Sequence, residues 1–302
     1  MKNVAIIIVT WNGMKWIEKC LYSIRQSCYP VTVFLVDNNS SDKTPDFIKK
    51  NFPEVRMACF KDNLGFGKAN NIAIKQALVE EYDYFFLINQ DVYVYPDTID
   101  NLIKLAESTD NGIISPIHMN GNGCKVDPYF QKVIGSCNEY IDDSIILNYK
   151  DIYESDFIPA AAWFVPRKTI EEIGGFDSLF FHYGEDDNYC QRCIYHQKKI
   201  VFTTKARIRH DRESTVGNIK MYNHKLAFRK LIIDAANILY SPGFIIQKTG
   251  RQFYDEIGLW FMYLFTGKWY MLHNFLWDYI KLVYKIPAIR ESRKYNKTIH
   301  GL

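Results

Sequence analysis

Little in this sequence points to a membrane-spanning, disulfide-stapled or nucleic-acid-binding protein. No stretch reaches the ~20 consecutive apolar residues that a spanning helix needs. The seven cysteines among 302 residues are odd in number and irregular in spacing. They form no evident disulfide framework and fit a reducing cytosol. Cys190-x-x-Cys193 lacks a second pair, and two thiols on one helical face is the plainer reading beside a zinc or redox role. The net charge of +3 is too small to argue for nucleic acid. There is no internal repeat and no low-complexity tract. Neither the phosphate loop ending in Gly-Lys-Ser/Thr nor the dinucleotide fingerprint is present. The apolar run that begins the chain stops at Thr10-Trp11-Asn12, too short for a secretory signal core, and reads as a buried strand.

What is present is an ordinary globular composition, 48% hydrophobic and 24% charged, with enough length for one large domain and a smaller attachment. The first half alternates. Val4–Val9, Val31–Val36, Val55–Phe60 and Tyr84–Ile88 read as strands. Helical spacing fills Gly13–Ser27, Asp42–Asn51 and Phe66–Glu80, with Ser40 or Ser41 as a cap for the second. This order predicts a parallel, doubly wound α/β sheet with right-handed crossovers. Residues 119–153, rich in Gly, Asn and Asp, are expected to be a loop-rich insertion carrying a few antiparallel strands. Thr169–Ile173 and Glu185–Tyr195 read as helices, and Ile200–Ile208 as a strand running to His210. Past Ser214 the pattern becomes helical, at 223–240 and 253–284. The second stretch is dense in aromatics and is followed by a basic tail.

Polar residues gather where each strand ends: Thr10, Trp11 and Asn12; Asp37 and Asn39; Asn63 and Gly67; Asn89, Gln90 and Asp91. Ligands bind at the carboxyl ends of such strands, so these clusters describe one cleft. Asp37 suits a base or ribose hydroxyl, with an Asx turn as its bland alternative. The glycine-bearing turn 63–71 places N–H groups and Lys68 at a helix start, where anions bind. Asp91 and His210, each at a strand end, offer oxygen and nitrogen donors to Mg²⁺ or Mn²⁺. Three adjacent carboxylates, Glu185, Asp186 and Asp187, repel one another, an arrangement useful for accepting a proton.

These motifs, taken in order over residues 3–215, resemble the family 2 glycosyltransferases of the GT-A fold. Val9-Thr10-Trp11-Asn12, Asp37 to Asp42, Asn63 to Asn71 and Asn89-Gln90-Asp91 resemble that family's nucleotide-sugar half. The run from Gly174 to Arg192 resembles its acceptor and base motif. Bacterial rhamnosyltransferase-like enzymes are the most similar subgroup. The resemblance implies a GT-A (Rossmann-like), mostly parallel sheet with a C-terminal helical extension. It implies a catalytic domain over 1–215, split into a nucleotide-sugar half (1–118) and an acceptor half (119–215), followed by a helical region (216–302).

The implied reaction is inverting transfer from a nucleotide-diphosphate sugar, dTDP- or UDP-linked, to a glycan or lipid-linked glycan of bacterial surface polysaccharide. A divalent cation, Mn²⁺ or Mg²⁺, is the implied cofactor. Thr10, Trp11, Asn12, Asp37, Asn39, Asn63, Gly67, Asn71, Asn89 and Gln90 would bind the donor. Asp91 and His210 would hold the metal, Asp186 would be the base, and Glu185 would support it. Trp163, Asp187 and Arg192 would serve the acceptor or orient the carboxylates. Departures exist: Asn89 and Gln90 precede Asp91 where the family is more acidic, Asn188 replaces an Asp, and Glu213 replaces a glycine.

The expected location is cytoplasmic. The aromatic C-terminal helices leave two readings open, packing on the catalytic domain or lying in a membrane interface. The basic tail favours the second. Two other functions stay in view. A sugar nucleotidyltransferase would carry a glycine-rich basic loop after the first strand, and Thr10 to Met14 is not one. A non-catalytic nucleotide-sugar-binding module would need neither the acidic row nor a metal site.

Overall fold

The computed structural model describes residues 1–212, 224–265, 269–299 and 302. The chain divides into two compact units, Met1–Ser214 with Ile299–Leu302, and Thr215–Thr298.

The first unit opens with β1 (Val4–Thr10), α1 (Ile17–Arg25), β2 (Thr32–Asp37), α2 (Thr44–Asn51), β3 (Arg56–Cys59), α3 (Phe66–Leu78) and β4 (Tyr84–Asn89). It continues with β5 (Val92–Val94), α4 (Thr98–Ser108), β6 (Asn111–Asn120), α5 (Phe130–Gly135), α6 (Asn138–Ile145) and β7 (Ile152–Glu154). It ends with β8 (Ala162–Pro166), α7 (Arg167–Ile173), α8 (Glu185–Tyr195) and β9 (Lys199–His210). The strands form one nine-stranded sheet in the order β3-β2-β1-β4-β8-β6-β9-β5, with β7 on β9. The β3-β2-β1-β4 half is parallel throughout. β8 then runs antiparallel to both neighbours, β4 and β6.

β1, β2 and β4 carry continuous apolar runs because both faces of the sheet are covered there. Ala5 and Ile7 point into one core with Ala69, Ala73 and Ala77 of α3. Val4, Ile6 and Ile8 point into the other, with Ile17, Leu21 and Ile24 of α1. Each of these isoleucines is fully buried, a contribution of about 1.5–3 kcal/mol apiece. The strand order reverses at β1, which lies between β2 and β4. This opens a crevice at the carboxyl ends of those strands.

The insertion differs from its expected form. Residues 119–153 hold two short helices and one three-residue antiparallel strand. Asp127 accepts the backbone N–H groups of Tyr129 and Phe130 and so starts α5. Phe130, Val133 and Ile134 then bury one face of that helix. The Gly, Asn and Asp residues that suggest loops are the punctuation around these helices.

The second unit contains α9 (His224–Ala236), α10 (Pro242–Phe265) and α11 (Trp269–Asn296). Arg293 is buried and donates to the carbonyls of Ala235, Asn237 and Tyr240. A cation at the carboxyl end of α9 satisfies acceptors that the helix leaves open. Among the described residues, no helix is long and apolar enough to cross a membrane.

Candidate active site

A cleft of ≈ 480 Å³ opens at the ends of β1, β2 and β4, lined in part by Trp11, Asn38, Asn63, Asn89, Asp91 and Phe181. Its loops are laced to each other. Thr10 Oγ1 and the Trp11 N–H donate to Gln90 Oε1 at 2.6 and 3.0 Å, and Gln90 Nε2 returns a bond to the Trp11 carbonyl. Asn12, in a left-handed conformation (φ 48), accepts from the Ser41 N–H at 2.8 Å. Asp37 is 2% exposed and takes Ser40 Oγ and the Ser40 N–H on its two oxygens, at 2.6 and 3.0 Å. These bonds span three residues, one more than an Asx turn, and close the loop on itself. Thr10, Gln90, Asn12 and Asp37 therefore shape the cleft through one another. Trp11 and Asn39 are exposed on these loops. Asn89 Oδ1 is buried without a hydrogen-bond partner at the cleft wall.

Asn38, which sequence reasoning passed over, bridges this cleft to the third loop. It donates to Asn63 Oδ1 at 3.0 Å and accepts the Leu64 N–H at 2.7 Å. Its signal is the run Asp37-Asn38-Asn39, an unbroken polar tract at the end of a buried strand. The start of α3 is not the open anion site expected of it. The Phe66 N–H is taken by the Phe181 carbonyl at 3.1 Å, and Lys68 is exposed. Gly65 makes this approach possible: its φ is +81 and a Cβ there would lie 2.1 Å from the Phe181 oxygen.

Gly67 and Asn71 face the acidic row's own segment instead of the nucleotide cleft. A Cβ on Gly67 would meet Phe176 Cβ at 2.8 Å. Asn71 clamps the Phe176 backbone, accepting its N–H at 2.7 Å and donating to its carbonyl at 2.8 Å. Phe176 in turn stacks on Trp163 at 5.8 Å and packs against Tyr189. Trp163 is fully buried, with its indole N–H on the Ile158 carbonyl. It is the floor beneath the row and not an acceptor contact.

The row opens α8. Gly184 is left-handed (φ 99), and Glu185, Asp186 and Asp187 occupy the first helical turn. The positive end of the helix offsets their mutual repulsion. Asp186 is half-buried, and burial pushes its carboxyl above the usual range. The N–H groups of Asp187, Asp186, Ala160 and Gly184 pull the other way without cancelling it. Such a carboxylate suits proton acceptance near neutral pH. Glu185 is 4% exposed and Asp187 half-buried. Arg192 does not orient the carboxylates. It is buried and donates to the Ile173 and Gly175 carbonyls, tying α8 to the end of α7.

Asp91 and His210 do come together, with His210 Nε2 3.5 Å from Asp91 Oδ1. The pairing of Val92 with His210 between β5 and β9 sets this approach. Behind the imidazole stand Arg212, whose Nη2 is 3.2 Å from Nδ1, and Asp127, whose Oδ2 is 4.0 Å from Nδ1 and 3.1 Å from Arg212 Nε. Sequence reasoning missed both, because neither sits in a recognisable motif. Among the described residues, no group of three or more His, Cys, Asp or Glu is arranged to hold a metal. One carboxylate and one imidazole fit a hard divalent ion that completes its shell with ligand oxygens. Glu213 lies outside the described residues.

The sequence profile of the family described as glycosyl transferase family 2 matches residues 5–174. N-acetylglucosaminyl-diphospho-decaprenol L-rhamnosyltransferase of Mycobacterium tuberculosis is 25% identical over 236 residues, 70% of this chain and 77% of that protein. Among solved structures, Staphylococcus aureus TarS 1–349 with UDP-GlcNAc superposes with a TM-score of 0.58 at 18% identity, over 80% of this chain and 68% of that one. The mannosyltransferase PcManGT of Pyrobaculum calidifontis, with GDP-Man and Mn²⁺, gives 0.56 at 16%, over 78% and 63%. At such identities the likeness to solved structures is one of fold, the GT-A arrangement. The profile match spans more than half of the chain, and this protein belongs to glycosyl transferase family 2 and is a glycosyltransferase.

Proposed function

We propose that this enzyme moves a sugar, with inversion, from a dTDP- or UDP-sugar to a hydroxyl of a glycan or lipid-linked glycan in bacterial surface polysaccharide synthesis. One observation carries the reading: the stretch Phe181–Asp187 lines the strand-end cleft at one end and carries the perturbed carboxylate of Asp186 at the other. The rhamnosyltransferase name of the mycobacterial relative and the UDP-GlcNAc of TarS support the donor class.

In this scheme Asp186 takes the acceptor hydroxyl proton, the oxygen forms its bond to the anomeric carbon, and the bond to the diphosphate oxygen breaks with its electron pair. Asp91 and His210 would hold a divalent cation, which when bound supplies charge to the departing diphosphate. Trp11, Asn63 and Asn89 are the donor-side groups lining the cleft, with Asn39 exposed on the neighbouring loop. Glu185 keeps its supporting place beside the base. A thermal-shift panel of UDP-, dTDP- and GDP-sugars with Mn²⁺, followed by turnover of the stabilising donor, tests the proposal. Absence of any nucleotide-dependent stabilisation would overturn it.

We further propose peripheral membrane contact through α11. Trp277, Ile280 and Tyr284 are exposed at helical spacing, with Lys281, Lys285, Arg290 and Lys294 exposed on the same helix. Apolar side chains flanked by cations suit an anionic interface. Trp277→Glu with Tyr284→Glu should abolish co-sedimentation with phosphatidylglycerol vesicles, and unchanged sedimentation would refute the contact.

A further inference from the structure

A second cavity, of ≈ 660 Å³, lies in the first unit and is lined in part by Tyr129, Lys132, Cys137, Glu154, Asp156 and Phe157. Its volume falls in the range of about 300–1,000 Å³ typical of small-molecule sites. None of these residues belongs to the donor cleft. Both walls nevertheless lead to the chemistry. On one wall, Asp127 holds the Tyr129 N–H at 2.8 Å while its other oxygen meets Arg212 at 3.1 Å, beside His210. On the other, the Glu154–Phe157 segment runs on to Ala160, whose N–H reaches the Asp186 carboxylate. Burial and then the charges of Asp186 and Asp187 push the Tyr129 phenol above its usual range, as expected of a ring facing the row.

The lining selects a chemistry. Tyr129 is 41% exposed, and Lys132 and Arg212 each stand 5.4 Å from its ring centre. Glu154 is paired with Lys199 at 3.0 Å, which leaves the Asp156 carboxylate facing the Lys132 ammonium in the cavity wall. With its charges balanced in this way, the wall offers an anionic group no net attraction. A neutral polyol would find an aromatic plane with hydrogen-bond acceptors and a donor around it.

We propose that this cavity is the acceptor subsite, and that it takes a neutral sugar ring stacked on Tyr129 with the reacting hydroxyl turned towards Asp186. The assignment rests on the glycosyl-transfer reading. Donor and acceptor would then occupy two cavities that flank one stretch of chain, Phe181–Tyr183 on the donor side and Asp186 on the acceptor side.

Cys137 is a half-buried thiol in the cavity wall and provides the readout. The full-length protein is alkylated with N-ethylmaleimide, and Cys137 is followed by peptide mass spectrometry. The probes are p-nitrophenyl glycosides of neutral hexoses and N-acetylhexosamines, with inorganic pyrophosphate, UDP and dTDP alongside. At least one glycoside should slow Cys137 alkylation about threefold or more near saturation. Tyr129→Ala should abolish that protection and Tyr129→Phe should keep it. The apparent KM for the protecting glycoside should rise about tenfold in Tyr129→Ala. The thermal shift with UDP or dTDP and Mn²⁺ should be unaltered in both variants, which separates this test from that of the donor reading. Four results would each overturn the subsite: no glycoside protects, pyrophosphate protects equally, a nucleotide protects Cys137, or Tyr129→Ala retains protection.

Discussion

Two polar clusters stand near the same sheet and are built on opposite principles. At the ends of β1 and β2 the polar side chains satisfy one another. Asp37 is closed by Ser40, Thr10 by Gln90, and Asn12 by Ser41. At the start of α8 the carboxylate of Asp186 is ringed by backbone N–H groups and keeps a raised proton affinity. Polarity at a strand end thus signals a shaped loop as readily as a ligand contact. A functional group is better recognised by who pays its desolvation: the helix terminus here, a neighbouring side chain there.

The contrast can be broken most sharply at Asp186. Asp186→Asn should lower kcat by about 10²–10⁴-fold, with nucleotide affinity unchanged; native turnover would remove Asp186 from the mechanism. The sign with pH follows from its raised carboxyl. The ionised base is required, so the acid limb of kcat/KM should lie above the ordinary carboxylate range. The fold favours the protonated form, so this group's contribution to stability falls as pH rises from its unfolded to its folded pKa. Asp186→Asn should abolish that fall in urea titrations across the same window.

The next largest effect is expected at the Asp91 and His210 pair. His210→Ala should raise the Mn²⁺ concentration for half-maximal activity about 10–100-fold, and Asp127→Asn, acting through Arg212 and the imidazole, should do so less. Equal Mn²⁺ dependence in all three proteins would show that the metal is held elsewhere.

Much of this was open to sequence reading, for identifiable reasons. β1, β2 and β4 are continuous apolar runs because helices cover both faces, and the three alanines of α3 keep a clean helical period. β6 hides because Gly112 and Pro116 interrupt it. α5 and α6 hide because their short apolar faces lie between loop-forming residues. Asp186 was recognisable from its row and Asp91 from its strand end. The clamp of Asn71 on Phe176 and the support of His210 by Asp127 and Arg212 were not, since they join residues far apart in sequence through contacts that no local pattern records.

Smaller effects sharpen the contrast from the other side. Asn71→Leu removes two hydrogen bonds to the Phe176 backbone and should cost about 2–4 kcal/mol in urea unfolding, while the folded variant binds nucleotide normally. Asp37→Asn weakens the turn at Ser40 and should cost about 1 kcal/mol, again with nucleotide affinity kept. A tenfold loss of nucleotide affinity with unchanged stability would instead make Asp37 a ligand contact and erase the distinction between the clusters.

The stretch from Phe181 to Asp187 has a pharmacological consequence. Phe181 is an exposed wall of the donor cleft, its carbonyl rests on α3, and the helix bearing Asp186 begins a few residues later. A compound wedged between Phe181 and Gly65 would act as a lever on the base without touching it. Its inhibition would persist at saturating acceptor, and it would need no charged group to engage the carboxylates. Resistance by substitution at Gly65 would be costly to the enzyme itself, because any Cβ there meets the Phe181 carbonyl.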